Sequence, residues 1–457
     1  MDKIITILLS LVFLFASENN FILKPKFNLQ YFSHGSIYNY SKNDYSSLNN
    51  FSLNLSKITK NFSFSSSFYF SFGKNILDST TFINPNINFE NSRGFYNNDN
   101  RWFQSSDFEL NYKLNNLSLF FGKIKNKWNF GKTGLFLSQN TPSYPQFGFL
   151  WNISNKLSFE YFYGSLISQI NDTTLSNKYH GVGKRDVFID RLIAAHRLIW
   201  NPLPYLTFNA MELVIFGNRN IEYTYLMPLI PFWSTQSYNG DIDNIQICGE
   251  IILNINENNI YTSLFVDEWR PEWTFDKINR NWFGYQIGIV SNNLFKKNDN
   301  FRIEYTWTDH RIYRHRFQIN DSYSNGYALG FWAGPHAEEL YIKYEFTIKT
   351  FIIKSFISNM KRGELTYEML ENQYIETKNN EKYKRYNNLS ESRNIISIKA
   401  EKYFLKNKYM VYFENELIRW ENPGFNPYSP KTKMETINKI SLNIGLTFAT
   451  DIIFNNL

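Results

Sequence analysis

The histidines and the neighbouring carboxylates are the side chains of this sequence best suited to chemistry, and their spacing limits what they can do. "TDHRIYRHR" gathers Asp309, His310 and His315. Imidazole and carboxylate could share a metal ion, but the two histidines are five positions apart, which fits no common ligand spacing on a strand. The segment therefore reads as a charged strand end or loop. "FVDEWRPEW" sets Asp267 beside Glu268, as a glycosidase pair would require, yet adjacent residues of a strand point to opposite faces. Polar lining is the better reading. His180, His196 and His336 are scattered, and there is no Gly-rich phosphate loop, nucleophile elbow or pair of cysteines at metal spacing. No catalytic residue, metal or cofactor is expected, and the protein is read as non-enzymatic.

Binding chemistry is better represented. In "GKRDVFIDRLIAAHRLIWNPLPYLTFNAMELVIFGNR", Arg191, His196, Arg197 and Glu212 interrupt segments that are apolar on both faces, and Arg219 follows them. Charges at such positions in an apolar wall are costly unless they point inward and are paired. One reading is a network of ion pairs that braces an interior. The other is a polar surface that engages sugar hydroxyls and carboxylates, with Arg302 and Glu304, Asp267 or Glu268, and Trp269 or Trp273 as stacking platforms. Those tryptophans serve equally as interfacial anchors.

The elements that must carry these residues are strands. "NFSFSSSFYFSF" places Phe62, Phe64, Phe68, Phe70 and Phe72 on one face and Ser63, Ser65, Ser67, Tyr69 and Ser71 on the other. "FRIEYTWT" sets Phe301, Ile303, Tyr305 and Trp307 against Arg302, Glu304, Thr306 and Thr308, and "ISLNIGLTF" repeats the rule from Ile440 to Phe448. The same parity marks Phe51–Ile58, Phe108–Leu114, Leu117–Phe121, Leu157–Tyr163, Leu192–Trp200, Leu206–Phe216, Ile260–Val266 and Trp282–Val290. It continues in Leu340–Ile348, Phe351–Ser358, Ile395–Phe404 and Tyr409–Trp420, with weaker candidates near Phe27, Phe147, Ile245 and Tyr323. About 16 to 18 strands are expected. Long polar connections are expected at 73–101 and 362–393, the second with a short helix presenting Leu365, Met369 and Leu370.

Composition says what surrounds the strands. "MDKIITILLSLVFLFASENN" has the shape of a secretory signal, assigned to residues 1–17, and residues 18–457 form one domain. No later apolar run approaches the roughly 18 residues of a spanning helix, although 43 Phe, 31 Tyr and 11 Trp make the chain 19% aromatic. Cys248 is the single cysteine, so no disulfide framework within one chain holds an exported fold together. An exported chain rich in aromatics and without spanning helices is the description of an all-β transmembrane antiparallel barrel of the outer-membrane type. The net charge of +7 is spread along a Lys- and Asn-rich chain, which reads as solvated loops rather than a nucleic-acid surface, with a basic lumen facing an acidic polymer as the alternative.

A resemblance follows from the order of several segments. "LFFGKIKNKWNFGKTGLFLSQNTPSYP", "RDVFIDRLIAAHRL", "MELVIFGNRNIEYTYLMPLIPFW", "SLFVDEW", "FRIEYTWT" and "SNGYALGFWAGPHAEELYIKYEF" succeed one another between residues 115 and 346. In this order they resemble the Wzi-like capsule-assembly outer-membrane proteins. The resemblance implies a barrel of about eighteen strands that binds and helps assemble or retain capsular or other surface polysaccharide, acidic glycans included, in the outer membrane of a Gram-negative-type bacterium. Its members also carry an N-terminal helical bundle, whereas strands begin here within a few residues of the signal. The partners implied are the glycan, outer-membrane lipid and the barrel-insertion machinery, whose signal the last strand resembles. The alternative expectation is a general or substrate-specific diffusion porin.

Overall fold

The computed structural model describes residues 21–33, 45–76, 91–95, 100–176, 187–219, 221–268, 281–372, 385–386, 389–423, 425–427 and 435–454. The expected signal segment lies outside the described residues, as does most of 73–101. Eighteen antiparallel strands form one ring. They are β1 (Phe21–Phe32), β2 (Ser46–Ile58), β3 (Phe62–Lys74), β4 (Asn100–Leu114), β5 (Leu117–Ile124) and β6 (Tyr144–Asn152). Next come β7 (Leu157–Asn171), β8 (Phe188–Leu203), β9 (Leu206–Gly217), β10 (Asn244–Ile255), β11 (Asn258–Glu268) and β12 (Trp282–Asn292). The last six are β13 (Asn300–Thr308), β14 (Ala337–Ile348), β15 (Phe351–Gly363), β16 (Ser390–Phe404), β17 (Tyr409–Glu421) and β18 (Thr436–Ala449). Each pairs with its neighbour, and β1 closes on β18 through Lys26↔Ala449 to Phe32↔Asn443.

Parity places the faces as the sequence suggests. Along β18, Ile440, Leu442, Ile444 and Leu446 are exposed while Lys439, Ser441, Asn443 and Thr447 are buried. Ile444 is 55% exposed and Asn443 0%, the reverse of a soluble sandwich. Cross-strand partners share a face, so the alternation can be followed around the whole ring. Ser441 opposes Glu416, Ser397 opposes Glu416 and Phe356, and Asn28 opposes Asn50 and Thr447, all luminal. Ser63, Ser65, Ser67 and Ser71 of the Phe-Ser strand face the lumen, and its phenylalanines, with Ser66, face outward. Of the weaker candidates, Phe27, Phe147 and Ile245 fall in barrel strands; Tyr323 instead belongs to a two-residue hairpin, Tyr323–Ser324 with Tyr327–Ala328, inside a long loop.

The connections sort by length onto opposite ends. Residues 59–61, 115–116, 153–156, 204–205, 256–257, 293–299, 349–350 and 405–408 are short turns at one end. Asn115 and Asn256 take φ of 51° and 53° in two-residue turns, a left-handed conformation that Asn tolerates. At the other end, the segments 33–45, 75–99, 125–143, 172–187, 218–243, 269–281, 309–336, 364–389 and 422–435 are all long. The expected short helix is present at Tyr367–Asn372, with Leu365 and Leu370 buried and Met369 packed beside them.

The outward position of Ile287, 52% exposed on β12, gives a direct test of the inside-out arrangement. Ile287→Arg is expected to destabilise the barrel by about 2–4 kcal/mol in reversible urea unfolding from lipid vesicles, with Ile287→Leu close to wild type.

Candidate functional site

The barrel is not hollow. Segment 125–143 folds into the lumen, where Trp128, Leu135, Phe136 and Leu137 pack against inward residues of β7 to β11, including Phe162, Ile193, Leu213, Cys248 and Phe265. Segment 309–336 joins it with Ile312, Tyr313, Leu329, Phe331 and Trp332. The two segments hold each other: Ser138 N–H donates to the Leu329 carbonyl at 2.8 Å and Ser138 Oγ to the Gly330 carbonyl at 2.6 Å. Asn140 Nδ2 donates to the Ala328 carbonyl at 3.2 Å. Two apolar runs inside connections between strands therefore build a core within the barrel, sheltered from both water and lipid.

Luminal carboxylates carry the backbone of the inner segment. Glu250 on β10 accepts the Phe130 N–H at 2.9 Å, and Glu304 on β13 accepts the Lys132 N–H at 2.8 Å. Lys132 Nζ reaches Glu339 at 3.8 Å and lies 3.5 Å from the centre of the Tyr341 ring. Tyr261 also donates its hydroxyl to Glu304, and Gly288 on the next strand is what lets its ring lie there, because any Cβ would strike it. Gly131 has the same role against the Gln286 amide.

The candidate residues separate into three groups. Arg191, 2% exposed, points inward and donates to the carbonyls of Gln318, Ile319 and Tyr323. Asp267 accepts the Tyr313 N–H at 2.6 Å and Gln246 Nε2 at 3.0 Å, Arg197 pairs with Glu160 at 2.6 Å, and Arg302 reaches Glu304 at 3.3 Å. These side chains brace the interior. Glu212 departs from the expectation that wall charges point inward: with His196 it lies on the outer face, where His196 Nε2 meets it at 2.9 Å. A covering segment pairs it, as described below. Arg219 pairs with Asp243 beyond the end of β9. Glu268 closes β11, and Trp269 and Trp273 lie outside the described residues.

Among the described residues the lumen also holds a cleft that the sequence-based candidates missed. A cavity of about 660 Å³ lies between the luminal faces of β1 to β4 and the inner segment. Asn28, Asn50, Ser52, Asn54, Ser65, Ser67, Tyr69, Ser71, Ser105, Asp107 and Glu109 line it from the wall, with Lys125 and Gln139 facing them. Asn54 Nδ2 donates to Ser65 and Ser67, joining the two serines across strands. The lining is chiefly hydroxyl and amide, and its Lys26, Lys123 and Lys125 are balanced in part by Asp107 and Glu109, so the lumen here is not a basic channel. Such a surface offers donors and acceptors in pairs, with Tyr69 as an aromatic face, which suits polyhydroxylated ligands. The serine-rich parity that identified β3 was the available signal.

The Asp309 region is a buried loop rather than a strand end. His310 Nδ1 lies 3.3 Å from Asp309, and the His310 and His336 rings are 6.1 Å apart. His336 stacks on Tyr386 at 4.9 Å and meets the Glu364 carbonyl at 2.7 Å. Among the described residues no three His, Cys, Asp or Glu side chains converge to hold a metal ion. Burial pushes His310 down to about 3, against the pull of Asp309, and His336 down to about 4, against its bond to the Glu364 carbonyl.

No protein-family model matches the chain, and no curated protein matches it. Solved structures do. Wzi of Escherichia coli, described as an outer-membrane protein involved in group 1 capsule assembly and a carbohydrate-binding β-barrel, is 12% identical, with 97% of this chain and 86% of that chain covered at a TM-score of 0.56. OccK5 (OpdH) of Pseudomonas aeruginosa is 10% identical over 95% of this chain and 98% of its own, TM-score 0.48. OccAB2 of Acinetobacter baumannii gives the same identity, coverage and TM-score: 10%, 95%, 98% and 0.48. At these identities the likeness to Wzi shows the fold: an outer-membrane-type β-barrel.

Two outcomes follow from the plug. Removing both carboxylates that hold its backbone, Glu250→Ala with Glu304→Ala, leaves buried N–H groups unpaired at about 1–3 kcal/mol each. The expected result is a rise in ion conductance in planar bilayers as segment 125–143 loosens, with the barrel still folded. The second concerns acid. Both histidines are held neutral, and the unfolded chain, whose histidines titrate near 6.5, takes up protons first as pH falls. Their contribution is complete above about pH 6.5 and drains away toward pH 4 and below. Protease cleavage within 309–336 should increase between pH 7 and pH 4, and His310→Gln with His336→Gln should flatten that rise.

Proposed function

We propose that this barrel resides in the outer membrane of a Gram-negative-type bacterium and binds surface or capsular polysaccharide in its luminal cleft, assisting assembly or retention of the glycan without catalysing a reaction. The observation that carries the reading is the packed plug beside a cleft lined by hydroxyl and amide groups. A barrel built only for free diffusion has no need of an apolar core inside its lumen. Paired donors and acceptors such as Asn54 with Ser65 and Ser67 match the hydroxyls of a sugar ring, and Asp107 and Glu109 add charge-assisted acceptors for the same groups. The cleft favours uncharged sugar units over a strongly acidic polymer. Wzi, of the same fold, is described as carbohydrate-binding.

The diffusion-porin reading is favoured by one observation, the inward folding of 125–143 beside wall residues of both signs. The two readings differ in purified protein. Glycan binding predicts low conductance in planar bilayers and retention of extracted surface polysaccharide on the immobilised barrel. Asn54→Ala with Asp107→Ala should weaken retention about thirtyfold, in line with two lost hydrogen bonds of about 1 kcal/mol each, while folding is unchanged. Large, steady single-channel currents without any glycan retained would replace this proposal with the porin.

A further inference from the structure

Segment 218–243 goes the other way from the two luminal segments. Its middle part turns down over the outside of the wall, where Tyr225 and Phe232 pack on Phe159, Tyr161, Tyr163, Ala194, Val214 and Phe216. These wall residues share the outer face with Leu198 and Trp200, which are exposed below them. The segment contains a 3₁₀ turn, Tyr223–Leu226, and a helix, α1 (Phe232–Tyr238).

Its attachment explains why β8 and β9 carry charge outward. Glu212 accepts the N–H groups of Phe232 and Trp233, both at 2.9 Å, and His196 at 2.9 Å. His196 Nδ1 meets the Pro228 carbonyl at 2.9 Å, and the Tyr161 hydroxyl donates to the Tyr225 carbonyl at 2.8 Å. Three polar side chains of the segment are turned onto its own backbone: Ser234 Oγ donates to Pro231 O at 2.7 Å, Thr235 Oγ1 to Phe232 O at 2.8 Å and Gln236 Nε2 to Asp243 O at 2.8 Å.

The opposite surface is apolar. Leu229 is 67%, Trp233 61% and Tyr238 84% exposed, and from Tyr223 to Asn239 there is no Asp, Glu, Lys or Arg, in a chain that is 19% charged. Charges return only at the ends of the run, at Arg219 and Glu222 and at Asp241 and Asp243. Directly below, Leu198, Trp200, Phe208, Ile251 and Leu264 border an outer-wall groove of about 370 Å³ floored by Ala210 and Gly249. The apolar surface therefore continues unbroken from the segment onto the lipid-facing wall.

We infer that residues 223–239 form a strap inserted into the bilayer against the outer wall of the barrel, clamped there by Glu212 and His196, and that its partner is membrane lipid. Non-helical backbone survives at membrane depth only where its polar groups are bonded to protein, and that is what the Glu212 carboxylate, His196 and Tyr161 supply. Trp233 and the exposed Tyr223 and Tyr238 suit the level where hydrocarbon meets headgroups. The inference depends on the fold and is independent of the ligand in the lumen.

The test uses the full chain with Cys248→Ser, a nitroxide attached at Leu229→Cys or Trp233→Cys, and vesicles of phosphatidylcholine and phosphatidylglycerol. Collision with oxygen should exceed collision with a water-soluble nickel complex, as for a label at Leu264→Cys on the lipid face and opposite to one at Lys349→Cys in a short turn. Adding Glu212→Ala should increase label mobility at Leu229→Cys while the barrel keeps its heat-dependent gel shift. Nickel-dominated collisions at 229 and 233 would overturn the inference, and so would spin–spin broadening that disappears on dilution with unlabelled protein, which would put a second copy of the chain there. Unchanged mobility in the Glu212→Ala background would overturn the clamp.

Discussion

A strand at the rim of an open sheet carries a row of N–H and C=O groups that hydrocarbon cannot solvate, and each left unpaired costs several kcal/mol. Closure of β1 on β18 removes that row, and every other feature of this molecule is arranged around the closed ring. With the backbone satisfied, side chains need only match the medium on each side. Alternating strands do so by placing Ile and Phe outward and Ser, Asn and Glu inward.

The same constraint governs the segments that leave the ring. Inside, Glu250 and Glu304 accept main-chain N–H groups of the plug, and Asp267 accepts that of Tyr313. Arg191 does the converse, donating to three carbonyls. Outside, Glu212 receives the first N–H groups of α1. A charged group in the wall is thus in several cases a cap for irregular backbone, and only in others, as at Arg197 with Glu160, half of an ion pair between strands. Beside the plug the lumen keeps a Ser- and Asn-lined cleft along β1 to β4, the site of the proposed glycan binding.

Much of this was legible in residue order. The even-odd alternation of β3, β13 and β18 identified strands and their faces, and composition with the signal-like N-terminus indicated what surrounds them. The short helix after β15 also followed from Leu365, Met369 and Leu370. Harder to read around β8 and β9 was which face is which, because both faces are largely apolar and the charges there were expected to point inward. The inner face packs on Trp128 and Phe136 of the plug and the outer on Tyr225 and Phe232 of the strap, so the two coverings erased the alternation.

The sequence by itself pointed to a ring of strands with hydrocarbon outside, because an extended backbone alternates its side chains between two faces and, over most of the ring, each face is matched to its medium. It also marked a serine face that turned out to line the cleft. Which connections fold inward, which one folds outward and whether a given charge faces lumen or lipid were decided only by tertiary structure. Those outcomes rest on contacts between residues far apart in the chain, such as Phe130 with Glu250 and Arg191 with Tyr323, and no local pattern records them.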